Sequence, residues 1–184
     1  MLETLISSKT RIKLLLKFFL NTEVKGYLRG LEAEFGESSN AIRLELNKLE
    51  EAGMLVSETQ GNKKLYSVNK NHPLFQPVYQ LIRTYVGIDT VIERVIERLG
   101  NVSEVYLTGS FARGVDADRL DIALIGQNID VDYLEFLTQK ATNIINRQIY
   151  TSVFSDIESL KSVHGDSIVL IYKNEEQNGR TQTS

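Results

Sequence analysis

The order of helix and strand patterns in the first 70 residues restricts the fold more than any other feature of the sequence. Three helical patterns follow one another closely, and an alternating strand pattern comes directly after the third. The first has apolar residues at helical spacing from Ile12 to Phe19, with Ser7 or Ser8 as its N-cap. The second runs from about Tyr27 to Phe35, and Gly36-Glu37 turns the chain into the third. These short connections predict a small domain of packed helices.

The third pattern, from Ser38 or Ser39 to about Ala52, has one apolar face and one polar face. The apolar face predicts a buried stripe formed by Ile42, Leu46 and Leu49. Arginine and asparagine on the polar face are the side chains that make paired hydrogen bonds with guanine and adenine edges. The candidate nucleic-acid contacts are Ser38, Ser39, Asn40, Arg43, Asn47 and Lys48. An ordinary solvated helix face fits the same pattern, and that alternative stays open.

A basic hairpin is predicted directly after the third helix. The segment from Met54 to Asn69 reads as two strands around Gly61-Asn62, a pair that tolerates the positive φ of two-residue hairpin turns. Lys63 and Lys64 lie beside the tip, where cations can bind a phosphate backbone. The order helix, helix, turn, helix and basic hairpin resembles the winged helix-turn-helix domain of ArsR-like transcription regulators, over roughly residues 5 to 70. The resemblance implies that a homodimer binds double-stranded DNA at a palindromic site.

Metal sensing does not follow from this resemblance. ArsR-like sensors often bind metals through cysteines, and this chain has none. His72 and His164 are isolated in the sequence, so each is interpreted as a structural or surface residue and no metal site is predicted. The lack of cysteines fits a reducing cytoplasm. No apolar run reaches the roughly 18 residues that a membrane span needs, so no membrane partner is expected.

A fourth helix is predicted after His72-Pro73. The segment from Leu74 to Gly87 carries more apolar surface at helical spacing than a linker helix should expose. In winged-helix regulators such a helix often builds the dimer interface, and we expect that role here. The alternative is that the helix packs on its own domain or on the next one.

The second half of the chain alternates between helical and strand patterns, which indicates an α/β sheet domain. Ser155 and Glu158 predict a capping box at the start of its last helix. The predicted helices are residues 88–99, 131–146 and 156–162, and the predicted strands are 105–108, 120–125, 148–154 and 167–172.

One motif in this half points to phosphate chemistry. Gly109-Ser110 follows a strand, and Asp121 lies on the next strand in the sequence Asp-Ile-Ala-Leu-Ile. This resembles the minimal nucleotidyltransferase domain of the DNA polymerase β superfamily, over about residues 88 to 173. The resemblance implies that Gly109 and Ser110 approach a triphosphate, and that Asp121 matches the first of three carboxylates that hold two Mg²⁺ ions.

The other two carboxylates of that family are missing. Ala123 stands at the second position, and the strand 148–154, which should carry the third, contains no acid. Asp116 and Asp118 lie in a loop, which is a poor place for preorganised ligands. No catalytic residue, metal or cofactor is therefore predicted. Arg113 adds positive charge beside the turn. Gly109, Ser110, Arg113 and Asp121 leave open a nucleotide or phosphate site, and the alternative is a degenerate fold kept for packing or dimerisation.

These patterns predict an α+β protein with an N-terminal winged helix-turn-helix domain and a small nucleotidyltransferase-like α/β domain with a mixed sheet. The predicted parts are residues 1–73, the linking or dimerisation helix 74–87, the domain 88–173 and a polar, disordered tail 174–184. The first half is basic and the second is acidic, and no Asp precedes Asp89. The expected function is sequence-specific transcriptional regulation, with the second domain as sensor or dimerisation module. The alternatives are an active Mg²⁺-dependent nucleotidyltransferase with a winged-helix docking module, and a winged helix that binds protein.

Overall fold

The computed structural model describes residues 2 to 174, without the side chain of Glu3. The chain contains both helices and strands and forms two compact units. The first unit comprises Met1–Tyr85 and Gly114–Asp116, and the second comprises Val86–Arg113 and the chain from Ala117 onward. Of the predicted disordered tail 174–184, Asn174 alone belongs to the described residues.

The first unit consists of helices followed by a two-stranded hairpin and one more helix. Serine side chains begin two of these helices, as the capping patterns predicted: Ser8 accepts a hydrogen bond from the Arg11 amide at 3.1 Å, and Ser38 accepts one from the Ala41 amide at 3.3 Å. The elements are α1 (Leu2–Leu5), α2 (Lys9–Leu20), α3 (Leu28–Phe35), α4 (Ser39–Glu51), β1 (Leu55–Gln60), β2 (Lys63–Val68) and α5 (Phe75–Val86).

The core of the first unit lies between α2, α3, α4 and one face of the hairpin. The stripe predicted on α4 is confirmed, since Ile42, Leu46 and Leu49 are all buried. Gly26 exchanges two backbone hydrogen bonds with Tyr66 of β2, so the chain before α3 lies against the hairpin. At the start of α5, the ring of Phe75 stacks on Phe19 of α2 with 5.8 Å between centroids. The predicted role of this helix in a dimer stays a prediction.

The hairpin has the predicted two-residue turn. Gln60 pairs with Lys63, which leaves Gly61 and Asn62 as the turn. Gly61 has a φ of 58°, while Asn62 does not have a positive φ. The glycine is therefore the residue that this turn requires, and the tolerance of asparagine for the left-handed region is not used.

The second unit is built around a four-stranded mixed sheet with the order β5-β4-β3-β6, in which β4 and β5 are parallel and the other neighbours antiparallel. A mixed sheet was predicted, and this is confirmed. A π turn at Ile92–Ile96 interrupts the predicted helix 88–99 and was not foreseen. The elements are α6 (Ile88–Val91), α7 (Glu97–Leu99), β3 (Val102–Thr108), α8 (Gly109–Ala112), β4 (Arg119–Gly126), α9 (Val131–Ile145), β5 (Gln148–Phe154), α10 (Ile157–His164) and β6 (Val169–Lys173).

Strand β4 is buried on both faces. Leu120, Ile122 and Leu124 face one side and are almost completely inaccessible. On the other side, Ala123 and Ile125 form a buried cluster with Leu160 of α10. A continuous apolar run is typical of a strand that is covered on both faces.

The predicted capping box at the last helix is wrong. Asp156 is the N-cap of α10, and its carboxylate accepts a hydrogen bond from the Ser159 amide at 2.7 Å. Ser155, the predicted cap, instead donates its hydroxyl to Asp156 at 2.6 Å. The hydrogen bond from Ser155, followed by those from Ser159, holds the pKa of Asp156 below its usual value. Aspartate is preferred here because it satisfies an amide of the first turn and its charge suits the helix N-terminus.

A buried carboxylate joins two helices of the first unit. Glu45 of α4 is 5% exposed, and its Oε2 accepts a hydrogen bond from Arg11 Nε of α2 at 2.7 Å. Burial raises the pKa of Glu45, but the hydrogen bond and charge of Arg11 and the charge of Lys48 outweigh burial and hold the pKa below its ordinary value of 4.5. The ion pair therefore stabilises the folded state at neutral pH.

We expect Glu45→Gln to lower the free energy of unfolding by about 1–3 kcal/mol at pH 7, because Arg11 loses a charged acceptor. A carboxylate with a lowered folded pKa stabilises the protein above its unfolded pKa, and this stabilisation is lost as the pH falls through the folded value. The difference between wild type and variant should therefore shrink below an ordinary carboxyl pKa of 4.5. Urea unfolding at neutral and acidic pH measures both effects. Glu51→Gln, an exposed change on the same helix, is the control. Equal stability of Glu45→Gln and wild type at pH 7 would contradict the assignment.

Candidate functional sites

A cationic cleft opens in the first unit between the start of α3, the exposed face of α4 and the tip of the hairpin. Its volume is about 690 Å³. Among the described residues, its lining contains no acidic side chain, and its cations are Arg29, Arg43, Lys63 and Lys64. The other lining residues are Tyr27, Leu28, Leu46, Asn47, Asn62 and Tyr66. A concave surface with this charge and with asparagine side chains suits an anionic ligand that also offers hydrogen-bonding groups.

The polar face predicted on α4 is exposed. Asn40, Arg43 and Asn47 lie on the same side of the helix and line a shallow depression there together with Ala41 and Leu44. Sequence reasoning missed Leu44, which is 55% exposed. The signal was available, because Leu44 falls outside the apolar stripe of the helix. An apolar side chain beside Arg and Asn can contact the methyl group of thymine.

Two of the predicted contact residues have local structural roles. The hydroxyl of Ser38 caps α4, and the ammonium group of Lys48 lies 3.6 Å from Oε1 of the buried Glu45. Neither residue lines the cleft. Ser39 is exposed at the first position of α4. The structure therefore brings together Arg43, Asn47, Lys63 and Lys64 of the predicted set, and leaves Ser38 and Lys48 outside that group.

The two lysines at the hairpin tip differ in their surroundings. Lys64 Nζ donates to Glu50 Oε2 at 2.7 Å, and this hydrogen bond raises the pKa of Lys64 and lowers that of Glu50. Lys63 Nζ instead lies 4.4 Å from the ring centroid of Tyr27. Glu50 competes with any ligand for Lys64, whereas Lys63 has no carboxylate partner among the described residues, so Lys63 is the better placed of the two to bind a phosphate.

Arg29 is a cleft residue that sequence reasoning missed. It is exposed near the beginning of α3, next to Tyr27. Within residues 2 to 174, Arg29, Arg43 and Lys63 form no ion pair with a carboxylate. A cation in the first turn opposes the helix dipole, and this unfavourable position was the available signal.

In the second unit, Gly109 and Asp121 are in direct contact. Thr108 and Asp121 pair across β3 and β4, and Gly109, with a φ of 64°, begins the short α8. A Cβ atom on Gly109 would lie 3.0 Å from Cγ of Asp121 and closer still to Oδ2. Oδ1 of Asp121 accepts a hydrogen bond from Arg119 Nε at 2.5 Å. The Arg119 guanidinium also lies 4.1 Å from the ring centroid of Tyr150. The carboxylate is thus held by an arginine and lies against the glycine.

The surroundings of the predicted phosphate site contain charges of both signs. The carboxylate of Asp121 lies next to Gly109, and the Arg119 guanidinium is paired with that carboxylate. Arg113 is exposed at the end of α8, and its amide donates to the Ser110 carbonyl at 3.1 Å. A phosphate or nucleotide at these residues stays a prediction.

The remaining positions of the nucleotidyltransferase pattern are occupied by residues that pack. Ala123 is completely buried against Leu160, and the neighbour of Asp121 on β5 is Tyr150. The carboxylate of Asp116 accepts a hydrogen bond from the Tyr85 hydroxyl at 2.5 Å. Within the described chain, residues 2 to 174, no three His, Cys, Asp or Glu side chains form a group that could hold a metal ion.

The two histidines have local contacts. His72 Nδ1 accepts a hydrogen bond from the Leu74 amide at 3.1 Å, and His164 meets the ring of Phe154 edge-on with 6.0 Å between centroids. Both contacts fit the structural role that was predicted for them.

The sequence matches no model of a known protein family, and no curated protein matches it. Among residues 2 to 174, no helix has both the length and the apolar composition that crossing a membrane requires.

We expect Gly109→Ala to destabilise the second unit by more than the roughly 1–2 kcal/mol that a left-handed backbone costs an alanine, because the added methyl group also overlaps Asp121. Gly100→Ala is the control, since Gly100 also has a positive φ, 75°, and no atom of the described residues lies within 4 Å of the position that its added methyl group would take. Adding Asp121→Ala to Gly109→Ala should recover part of the loss. Thermal unfolding measures all three variants. Equal losses for Gly109→Ala and Gly100→Ala would contradict the close contact.

Proposed function

We propose that the protein is a sequence-specific DNA-binding transcriptional regulator of the cytoplasm. In this proposal the first unit is a winged helix-turn-helix domain, α3 and α4 form the helix-turn-helix pair, and the β1–β2 hairpin is the wing. The second unit is a nucleotidyltransferase-like domain that acts as a sensor or dimerisation module, and two copies of the chain bind one palindromic site. The cationic cleft that joins the polar face of α4 to the hairpin tip is the observation that carries the proposal.

The side chains on α4 suit the reading of base edges. Arg43 and Asn47 lie one helical turn apart, so both point to the same side and reach into one groove. Arginine pairs with guanine and asparagine with adenine through two hydrogen bonds each, which is the chemistry of direct readout in the major groove. Asn40 extends the same face toward the beginning of the helix.

In this proposal the cations around this face of α4 bind the phosphates. Arg29 approaches the cleft from α3 and Lys63 from the wing, so the backbone of a duplex lying along α4 meets positive charge on two sides. Lys64 contributes less, because Glu50 shares its charge. The cleft's lining, as far as residues 2 to 174 form it, is cationic and carries no acidic residue, which favours a polyanion over a protein partner.

An active Mg²⁺-dependent nucleotidyltransferase is the alternative that the Gly109-Ser110 motif suggested. Its chemistry needs several carboxylates around two ions. Asp121 is bonded to Arg119, and the next position on the same face of β4 is the buried Ala123. These contacts favour regulation over catalysis.

We expect Arg43→Ala to weaken binding to the preferred DNA sequence by about 1–3 kcal/mol and to relax the preference at one base pair. Fluorescence anisotropy measures this, with labelled DNA from upstream of the protein's own gene and unrelated DNA as the comparison. Arg98→Ala, which removes an exposed arginine of the second unit, is the matched control and should bind as wild type does. If Arg43→Ala retains both the affinity and the sequence preference, α4 is not the recognition helix.

The two wing lysines provide a second test. Lys63→Ala should weaken binding to all sequences alike and reduce the slope of log K against log salt by about 1, because one phosphate contact is lost. Lys64→Ala should change the slope less, since its charge is paired with Glu50. Anisotropy titrations over a salt series give both slopes. A larger slope change for Lys64→Ala than for Lys63→Ala would show that the Glu50 pair opens on DNA and that the assignment of the two lysines is reversed.

A further inference from the structure

The outer edge of β5 is an unprotected sheet edge. Among the described residues, no strand pairs with this side of β5, which ends the order β5-β4-β3-β6. Its sequence, Gln-Ile-Tyr-Thr-Ser-Val-Phe, contains no charged residue, proline or glycine. Proteins usually block open edges with charges, prolines or bulges, because unpaired backbone groups bind other strands. Tyr150 is 52% exposed and Val153 is 40% exposed, so the strand is accessible.

The backbone groups that point outward can be assigned. The Gln148 amide donates to the Asp118 carbonyl at 2.9 Å, so Gln148 directs its backbone groups toward β4. Because these directions alternate along a strand, Ile149, Thr151 and Val153 direct their N–H and C=O groups to the open edge. Three residues are therefore available to pair with an added strand.

A second copy of β5 can form hydrogen bonds with these outward-pointing backbone groups when the two strands run antiparallel and Thr151 is at the centre of the pairing. Thr151 then faces Thr151 of the other copy, and Ile149 faces Val153 in both directions. Each of these pairs is of the hydrogen-bonded kind, so about six backbone hydrogen bonds form. The paired side chains are β-branched and lie on one face, which favours cross-strand packing. None of the residues of β5 that pair in this way is charged.

A groove beside this edge continues the same surface. It has a volume of about 690 Å³ and lies between α9 and β5. Thr138 lines it, and the Oγ1 atom of this residue is buried with no hydrogen-bond partner among the described residues. Glu135 is the one charged side chain among the described residues that line the groove. A two-fold axis perpendicular to the sheet places the second α9 on the same side of the joined sheet as this groove.

We infer that the protein dimerises through β5, which pairs antiparallel with β5 of a second copy about Thr151 and joins the two sheets into one. Charge favours this partner and this place, because the second half of the chain is acidic as a whole and two copies of it repel each other, whereas β5 is uncharged. The inference specifies the dimer contact that the proposed function assumes and places it on β5 rather than on α5. Its test uses no DNA, so its failure and the failure of DNA binding are distinguishable.

A cysteine at the two-fold axis tests the pairing with a conservative change. The chain has no cysteine, so Thr151→Cys introduces a single thiol that faces itself in the dimer. Opposed Cα atoms in a hydrogen-bonded pair are about 5.5 Å apart, which lies within the range that a disulfide spans. We expect the full-length variant to form a covalent dimer under mild oxidation. Leu170→Cys, an exposed position on the other edge strand, should not.

Charge at the same position tests the self-facing register. Thr151→Lys and Thr151→Glu should each sediment as a monomer, because like charges meet at the axis. An equimolar mixture of the two should dimerise again, whereas Leu170→Lys alone should remain dimeric. Circular dichroism monitors folding of each variant. Any one of three results overturns the inference. The wild-type protein sediments as a monomer, Thr151→Cys cross-links no faster than Leu170→Cys, or the mixture of Thr151→Lys and Thr151→Glu stays monomeric. If the wild-type protein is monomeric, the open edge of β5 binds a different partner, such as an extended peptide.

Discussion

The buried carboxylate of Glu45 controls how α4 is held in the first unit. A charge with so little exposure requires a partner, and Arg11 of α2 supplies it at 2.7 Å. Rotation of α4 about its axis would separate this pair and expose Ile42 and Leu46 of the buried stripe. The orientation of the helix is therefore determined on its inner side. Arg43 and Asn47 are exposed because the ion pair of Glu45 and the buried stripe fix the opposite side of the helix.

Local signals in the first unit were sufficient to predict its elements except the short α1. Helical spacing, serine caps and a glycine turn act over three or four residues, and these predicted α2, α3, α4 and the hairpin. The ion pair of Glu45 and the contact between Lys63 and Tyr27 join residues more than 30 positions apart. The spacing of apolar residues along the sequence does not reveal contacts between residues so far apart. For this reason the sequence alone does not distinguish Lys63 from Lys64, although the two lysines have different electrostatic surroundings.

In the second unit, the sequence predicted the strands and the mixed sheet but not the surroundings of the motif. The spacing of Gly109 and Asp121 correctly suggested a special turn, since the structure has a glycine with positive φ against a carboxylate. It could not reveal that Arg119 bonds to Asp121, because charged neighbours two residues apart on a strand are common in any exposed segment. The wrong capping box has a similar origin. Ser155 and Asp156 are both good caps, and the helix begins after the second of them.

The energetics of DNA recognition connect the two units of the proposed regulator. Each well-formed bidentate contact discriminates against a wrong base by about 1–3 kcal/mol, and α4 offers few side chains that can make one. Specific binding typically exceeds non-specific binding by about 4–10 kcal/mol. A single α4 therefore reaches only the lower part of that range, and two copies on adjacent half-sites reach its middle. The acidic second half of the chain is unsuited to phosphate contacts. In the proposed regulator, the contribution of this half to specificity would be to hold two copies of α4 together, for which an uncharged strand such as β5 is suited.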